Sequence, residues 1–216
     1  MKPGELLKNH KLLLFFVFGV IASLFTHDLK AQQLTIGPKL GYTTTSAAGD
    51  DLPDDVESIN GFVGGVFMKF QASPLFAIQP EILYHQKGAF WNPADNTNFK
   101  YTFEYLEVPV LLKLQLPIGE TVYPFVYAGP YAAFTLNNAV EGEIIGFNTS
   151  GTEDLNDFDA GAVFGAGLDV QVNKLFLGFD ARYGIGMRNV FDDDPDNQRD
   201  IKNRSFSAMV SLGVNL

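Results

Sequence analysis

From Gln33 onward, apolar and polar residues alternate in runs bounded by turn residues, and no stretch keeps a helical period beyond about two turns. Eight runs stand out: Gln33–Tyr42, Phe62–Gln71, Phe76–His85, Tyr105–Leu116, Tyr123–Leu136, Phe158–Val172, Leu175–Met187 and Arg204–Leu216. Each has ten to fifteen residues. Strands of soluble sheets average roughly 5–6, whereas a tilted membrane strand needs about 9–11. In the fourth run Leu106, Val108, Val110, Leu112, Leu114 and Leu116 share one face; Glu107, Pro109, Leu111, Lys113 and Gln115 share the other. The seventh sets Leu175, Leu177, Phe179, Ala181, Tyr183 and Ile185 against Phe176, Gly178, Asp180, Arg182, Gly184 and Gly186. The eighth splits in the same way, as do the first, second, third and sixth. The fifth, with aromatic residues on both sides, is ambiguous.

A soluble antiparallel sandwich would alternate too. Here, however, the polar face is rich in Gly, Ser and single charges, and the charges balance. Lys39, Lys69, Lys113 and Arg182 stand against Glu81, Glu107, Asp169 and Asp180. Unpaired charges in a confined space are costly, so this equality predicts a shared interior network. The apolar face carries Tyr42, Phe62, Tyr84, Phe134, Phe158 and Phe206, which fall at one rim when the strands are laid antiparallel. A ring of this kind is the aromatic girdle of a membrane interface. The expected fold is an all-β, eight-stranded antiparallel up-and-down transmembrane β-barrel.

The connections alternate in length. Thr43–Gly61, Gln86–Glu104, Asn137–Asp157 and Arg188–Asn203 are long; Ala72–Leu75, Pro117–Val122 and Asn173–Lys174 are short. Long outside loops and short periplasmic turns are the pattern of outer-membrane barrels. Fifteen acids sit in the first, third and fourth long segments, which predicts a solvated, mutually repelling surface or one that gathers divalent cations. Asp192, Asp194 and Asp196 begin like a calcium loop, but the sixth position is Asn197 rather than Gly and the twelfth is Asn203 rather than Glu. No metal or cofactor is expected.

The first 31 residues differ from the rest. Lys2, Lys8 and Lys11 precede the apolar run Leu12–Phe25, and Leu29-Lys30-Ala31 follows. That order describes a secretory signal peptide. Fourteen residues make only about 21 Å of helix, short of the ~30 Å hydrocarbon core. Taking 1–31 as leader leaves a barrel domain over 32–216 with 11 basic and 23 acidic residues, a formal charge of −12. This charge argues against nucleic acid as a partner. With no Cys there is no disulfide framework, thiolate metal site or cysteine nucleophile.

Tyr105-Leu106-Glu107-Val108-Pro109-Val110-Leu111-Leu112-Lys113 resembles the "YLEIPLLLK" strand of the PorT-like outer-membrane β-barrel family, and Tyr127-Ala128-Gly129-Pro130-Tyr131 its "GGPY" strand. Phe158-Asp159-Ala160-Gly161 through Gly165-Ala166-Gly167, and Arg182-Tyr183-Gly184-Ile185-Gly186, are similar to its last strands. The resemblance implies an eight-stranded barrel of the OmpA/OmpX type in the bacterial outer membrane, preceded by a signal peptide. Some family members serve type IX protein secretion. The chain departs from such barrels in ending Asn215-Leu216 rather than on an aromatic residue.

Candidate chemistry is sparse. His85 is the only histidine beyond the leader, expected as a polar residue at the outer rim. Ser46 and Ser150 lie in loops, with no motif joining them to it. Glu81 and Glu107, on neighbouring strands, suit a salt-bridge core better than an acid–base pair. Gly161, Gly165 and Gly167 lack the GK[ST] of a phosphate loop and are read as space for bulky lumen neighbours. Eight strands enclose a lumen that side chains fill, so general diffusion is not expected. Trp91, with Phe90 and Phe99, marks the second long segment for the membrane interface or for a partner. The reading is a monomeric, non-enzymatic barrel in contact with outer-membrane lipid, serving surface interaction or protein secretion alongside other envelope proteins. The alternatives are a small lipid-modifying barrel enzyme using His85 and a soluble ligand-binding barrel.

Overall fold

The computed structural model describes residues 33–48, 56–94, 97–144, 147–151, 158–187 and 202–216. Asp192, Asp194, Asp196 and the 1–31 leader lie outside them. Nine strands follow one another: β1 (Leu34–Ala48), β2 (Val56–Gln71), β3 (Phe76–Ala94), β4 (Thr97–Gln115), β5 (Val122–Ile144), β6 (Phe147–Gly151), β7 (Phe158–Val172), β8 (Leu175–Gly186) and β9 (Lys202–Asn215). All pairings are antiparallel. β1 pairs with β9, and the β4–β5 ladder completes the circle, giving a closed eight-stranded barrel. The ninth strand, β6, is a short addition to the outer end of β5, from Val140↔Gly151 to Ile144↔Phe147.

Closure turns the alternation into an inside and an outside. Along β9 the even positions from Phe206 to Val214 face out while the odd ones are buried. The outward set is Phe206, Ala208, Val210, Leu212 and Val214; the inward set includes Ser205, Ser207, Ser211 and Asn215. Leu112, Leu40, Val66 and Ile82 are each more than half exposed, while Lys39, Glu81, Lys113 and Arg182 are 1–2% exposed. A soluble barrel would have the opposite arrangement, with an apolar lumen and a wetted wall. A continuous apolar outer band is stable only in hydrocarbon.

The fifth run, ambiguous by pattern, is resolved by packing. Phe125, Tyr127, Tyr131 and Ala133 point inward, and Val126, Ala128 and Pro130 outward. The turn between β7 and β8 is Asn173-Lys174, with Asn173 at φ 55°. Asparagine tolerates that left-handed conformation, which two-residue hairpins require.

The second long connection proves not to be a loop. The β3–β4 ladder runs unbroken from Leu83↔Glu107 to Trp91↔Phe99 and closes with Ala94↔Thr97. β3 and β4 have 19 residues each and β5 has 23. At about 3.3 Å per residue, 19 residues reach roughly 60 Å, beyond what a tilted crossing of the bilayer needs. Above the girdle neither face meets lipid, so the apolar alternation fades although the backbone pairing continues. Trp91 and Phe99 thus lie on a raised hairpin, and Ser150 on β6.

Candidate functional site

The lumen is the densest concentration of chemistry in the described residues. All eight charges expected inside are buried there. They form three layers. Nearest the short turns, Asp169 Oδ2 accepts Lys113 Nζ at 2.8 Å and Lys69 Nζ at 3.2 Å. The two ammonium groups also rest on aromatic faces: Lys113 is 3.5 Å from the Phe125 ring centroid and Lys69 4.4 Å from that of Phe176. In the middle layer Lys39 bridges Glu81 (3.0 Å) and Asp180 (2.8 Å), and Arg182 Nη2 donates to Glu81 Oε2 at 2.6 Å. Gln79 connects these layers, accepting from Lys113 at 3.4 Å and donating to Glu81 at 2.7 Å.

The outer layer differs from the sequence expectation. Glu107 meets none of the four expected cations. It accepts Lys87 Nζ at 2.8 Å and His85 Nδ1 at 3.1 Å. Lys87 also lies 4.0 Å from Asp159, which accepts from the Tyr131 hydroxyl at 3.1 Å. Lys87 and Asp159 enlarge the network from four against four to five against five. Both were findable by parity: 81, 83, 85 and 87 share one face of β3, and 159 and 169 one face of β7. Lys87 lies two residues beyond the third run of apolar alternation, Phe76–His85, on the same face.

His85 is not at the rim. It is 2% exposed, and its Nε2 lies 3.2 Å from the hydroxyl of Thr43, which accepts from Ser207 Oγ at 2.9 Å. An ionised carboxylate can only accept, so Nδ1 carries the proton toward Glu107. Thr43, His85 and Glu107 thus line up as hydroxyl, imidazole and carboxylate, the order of a nucleophilic relay. The hydroxyl is enclosed: Thr43 is 0% exposed and Ser207 1%. Each of these buried polar groups has a hydrogen-bond partner within the lumen. Ser46, half-exposed on β1, pairs with Arg204 across the ladder and is apart from this group.

The three glycines of β7 have a packing role. Gly161, Gly165 and Gly167 stand opposite Tyr131, Tyr127 and Phe125 of β5. A Cβ on Gly165 would lie 2.6 Å from both Cζ and the hydroxyl of Tyr127, and one on Gly167 2.6 Å from Phe125 Cζ. The rings therefore lie across bare backbone, and Tyr127 can reach Asp180 (2.6 Å) while accepting from Arg182 Nε (3.0 Å). Tyr127→Phe should therefore cost about 1–3 kcal/mol by leaving buried charge unsatisfied. Tyr42→Phe, on the exposed outer face, should stay within about 0.5 kcal/mol. Urea midpoints of the reconstituted barrel compare the two, and equal midpoints would contradict a structural role for the Tyr127 hydroxyl.

The six rim aromatics all sit on the outer surface. Tyr42 pairs with Phe62 and Phe134 with Phe158, the latter rings 5.4 Å apart; Tyr84 faces Leu106, which faces Phe134, and Phe206 faces Thr44. Tyr42, Phe62 and Phe206 are 57%, 45% and 53% exposed.

A closed barrel with an apolar wall, an aromatic belt and a charged, filled lumen is an integral outer-membrane protein of a bacterium. Residues 30–192 match the family model "Outer membrane protein beta-barrel domain", and the chain belongs to that family. Among solved structures it is similar to the outer membrane protein OprG from Pseudomonas aeruginosa, at 11% identity and TM-score 0.57, over 87% of this chain and 97% of that one. It is also similar to Outer Membrane Protein W of E. coli, at 15% identity and TM-score 0.48, over 86% and 98%. A third is Ail, the attachment invasion locus protein of Yersinia pestis, at 14% identity and TM-score 0.44, over 86% and 99%. No curated protein matches the sequence.

Proposed function

We propose that this protein is a monomeric, non-enzymatic barrel of the PorT-like type that works through its extracellular rim, in surface interaction or as an accessory to protein secretion. The observation that carries the reading is the division of labour along the axis. The lumen is sealed by paired charges and rings, while β3, β4 and β5 continue outward as a paired sheet well past the belt. Paired backbone held clear of the membrane favours contact with another protein over passage of solute. Among the described residues, the enclosed Thr43–His85–Glu107 alignment is the one feature on the side of a lipid-modifying enzyme, and its burial weighs against it.

The test is a comparison of two chromosomal variants with a deletion strain, each checked for barrel insertion by heat-modifiable migration. One variant replaces residues 90–100, the raised hairpin, with a short turn; the other is His85→Gln. Protein released to the medium, envelope cross-links and lipid acyl composition are measured. The hairpin variant is expected to reproduce the deletion, and His85→Gln to behave as wild type. A normal hairpin variant beside a His85→Gln strain with altered lipid acyl chains would overturn the reading in favour of the enzyme.

A further inference from the structure

The lipid-facing wall over β7, β8 and β9 is not uniform. Ala166, Ala181 and Ala208 stand in register across the three strands and all face outward. Two residues nearer the outer rim on each strand, Phe164, Tyr183 and Phe206 form an aromatic row, the first two with centroids 5.8 Å apart. Two residues toward the periplasm, Leu168, Phe179 and Val210 form another row. The alanine row, with Leu168, Phe179 and Val210 on its periplasmic side and Leu40 of β1, lines a depression of about 500 Å³.

The headgroup level directly above is cationic on the same strand. Arg204 and Lys202 share the outward parity of Phe206, one and two outward positions further up β9. Each such step is about 7 Å. Arg204 is held against the wall by Nη1 donating to the carbonyls of Gly186 (3.1 Å) and Asn203 (3.3 Å). Its planar fork suits phosphate, and its position is fixed before any ligand arrives. At the corresponding outward positions on β1 to β4 stand Thr44, Ser46, Asn60, Gln86 and Glu104, none of them cationic. Among the described residues, outward cations at belt level are confined to β9; Lys100 sits higher, on the raised part of β4.

We propose that this strip holds one phosphorylated, acylated glycolipid of the outer leaflet. Its phosphate lies against Arg204 and Lys202, and one of its acyl chains fills the alanine groove beneath the aromatic row. Charge selects the headgroup, and shape selects the chain. The site is on a different wall from the raised hairpin and stands independently of the rim's role.

Full-length protein, purified from outer membranes in detergent and delipidated, is titrated with lipid A and with its dephosphorylated form, and occupancy is read by native mass spectrometry. Wild type is expected to take up one lipid A and to prefer it about tenfold or more, as near-surface cations favour anionic headgroups. Lys202→Gln with Arg204→Gln should weaken lipid A binding about twentyfold without changing the dephosphorylated form. Ala181→Phe should weaken both, whereas Ala132→Phe on the lipid-facing side of β5 should weaken neither. Where Ala181→Phe lowers the folded fraction, Ala181→Leu replaces it. Equal wild-type uptake of the two lipids, or matching behaviour of the Ala181 and Ala132 variants, would overturn the proposal.

Discussion

Asp169→Asn is expected to destabilise the barrel by about 3–5 kcal/mol, because it strips two buried ammonium groups of their common counter-charge. Asp169 Oδ2 is within 3.2 Å of both Lys69 and Lys113, which are 1% and 2% exposed. The other neighbours of these lysines cannot replace a carboxylate. Gln79 supplies a neutral oxygen at 3.4 Å from Lys113, and the Phe125 and Phe176 rings supply only quadrupoles. The companion variant Lys113→Met has a smaller expected cost, since Asp169 keeps Lys69 and the layer loses its surplus positive charge. The expected order of urea midpoints in lipid is therefore wild type, Lys113→Met, then Asp169→Asn, with about 2 kcal/mol or more between the two variants. Equal costs would mean that the layer is held by packing alone.

The second large effect is steric. Gly165→Val should prevent the barrel from reaching its native migration in unheated gels, or cost it upward of about 3 kcal/mol. The new Cβ alone would lie 2.6 Å from the Tyr127 ring and hydroxyl, and it also meets the Ala181 carbonyl. Backbone in a closed ladder cannot retreat, so Tyr127 must move and release Asp180 and Arg182. Ala128→Val, beside Tyr127 on β5 but facing lipid, adds the same side chain on the other face and should change stability by no more than about 0.5 kcal/mol. A Gly165→Val barrel as stable as Ala128→Val would show that the ring is not confined by the glycine.

Much of this was legible in the chain. The period of two separates Leu106, Val108 and Val110 from Glu107 and Lys113 without any knowledge of partners, and it places inward all eight of the charges expected in the lumen. What parity could not show was extent. Lys87 and the raised parts of β3 and β4 read as loop in the sequence because alternation of hydrophobicity marks a strand only where one of its faces meets lipid. His85 reads as a rim residue for the same reason: the alternation stops there, although the paired strand and the interior continue above it. Tyr127 and Tyr131 were ambiguous because tyrosine suits a membrane interface and a polar lumen equally.

The sequence by itself determined which residues meet lipid and which meet the lumen, because in a strand that choice is set by odd or even position alone. It also determined the balance of charge inside and the class of protein that such a balance implies. Only the tertiary structure decided which charges meet. Lys69 and Asp169 are 100 residues apart, and Arg182 and Glu81 101. Their meeting depends on the stagger of the strands around the closed barrel and on rings of β5 lying over bare glycine of the neighbouring β7. Stagger is a property of the closed circle of hydrogen bonds, and no single strand encodes it.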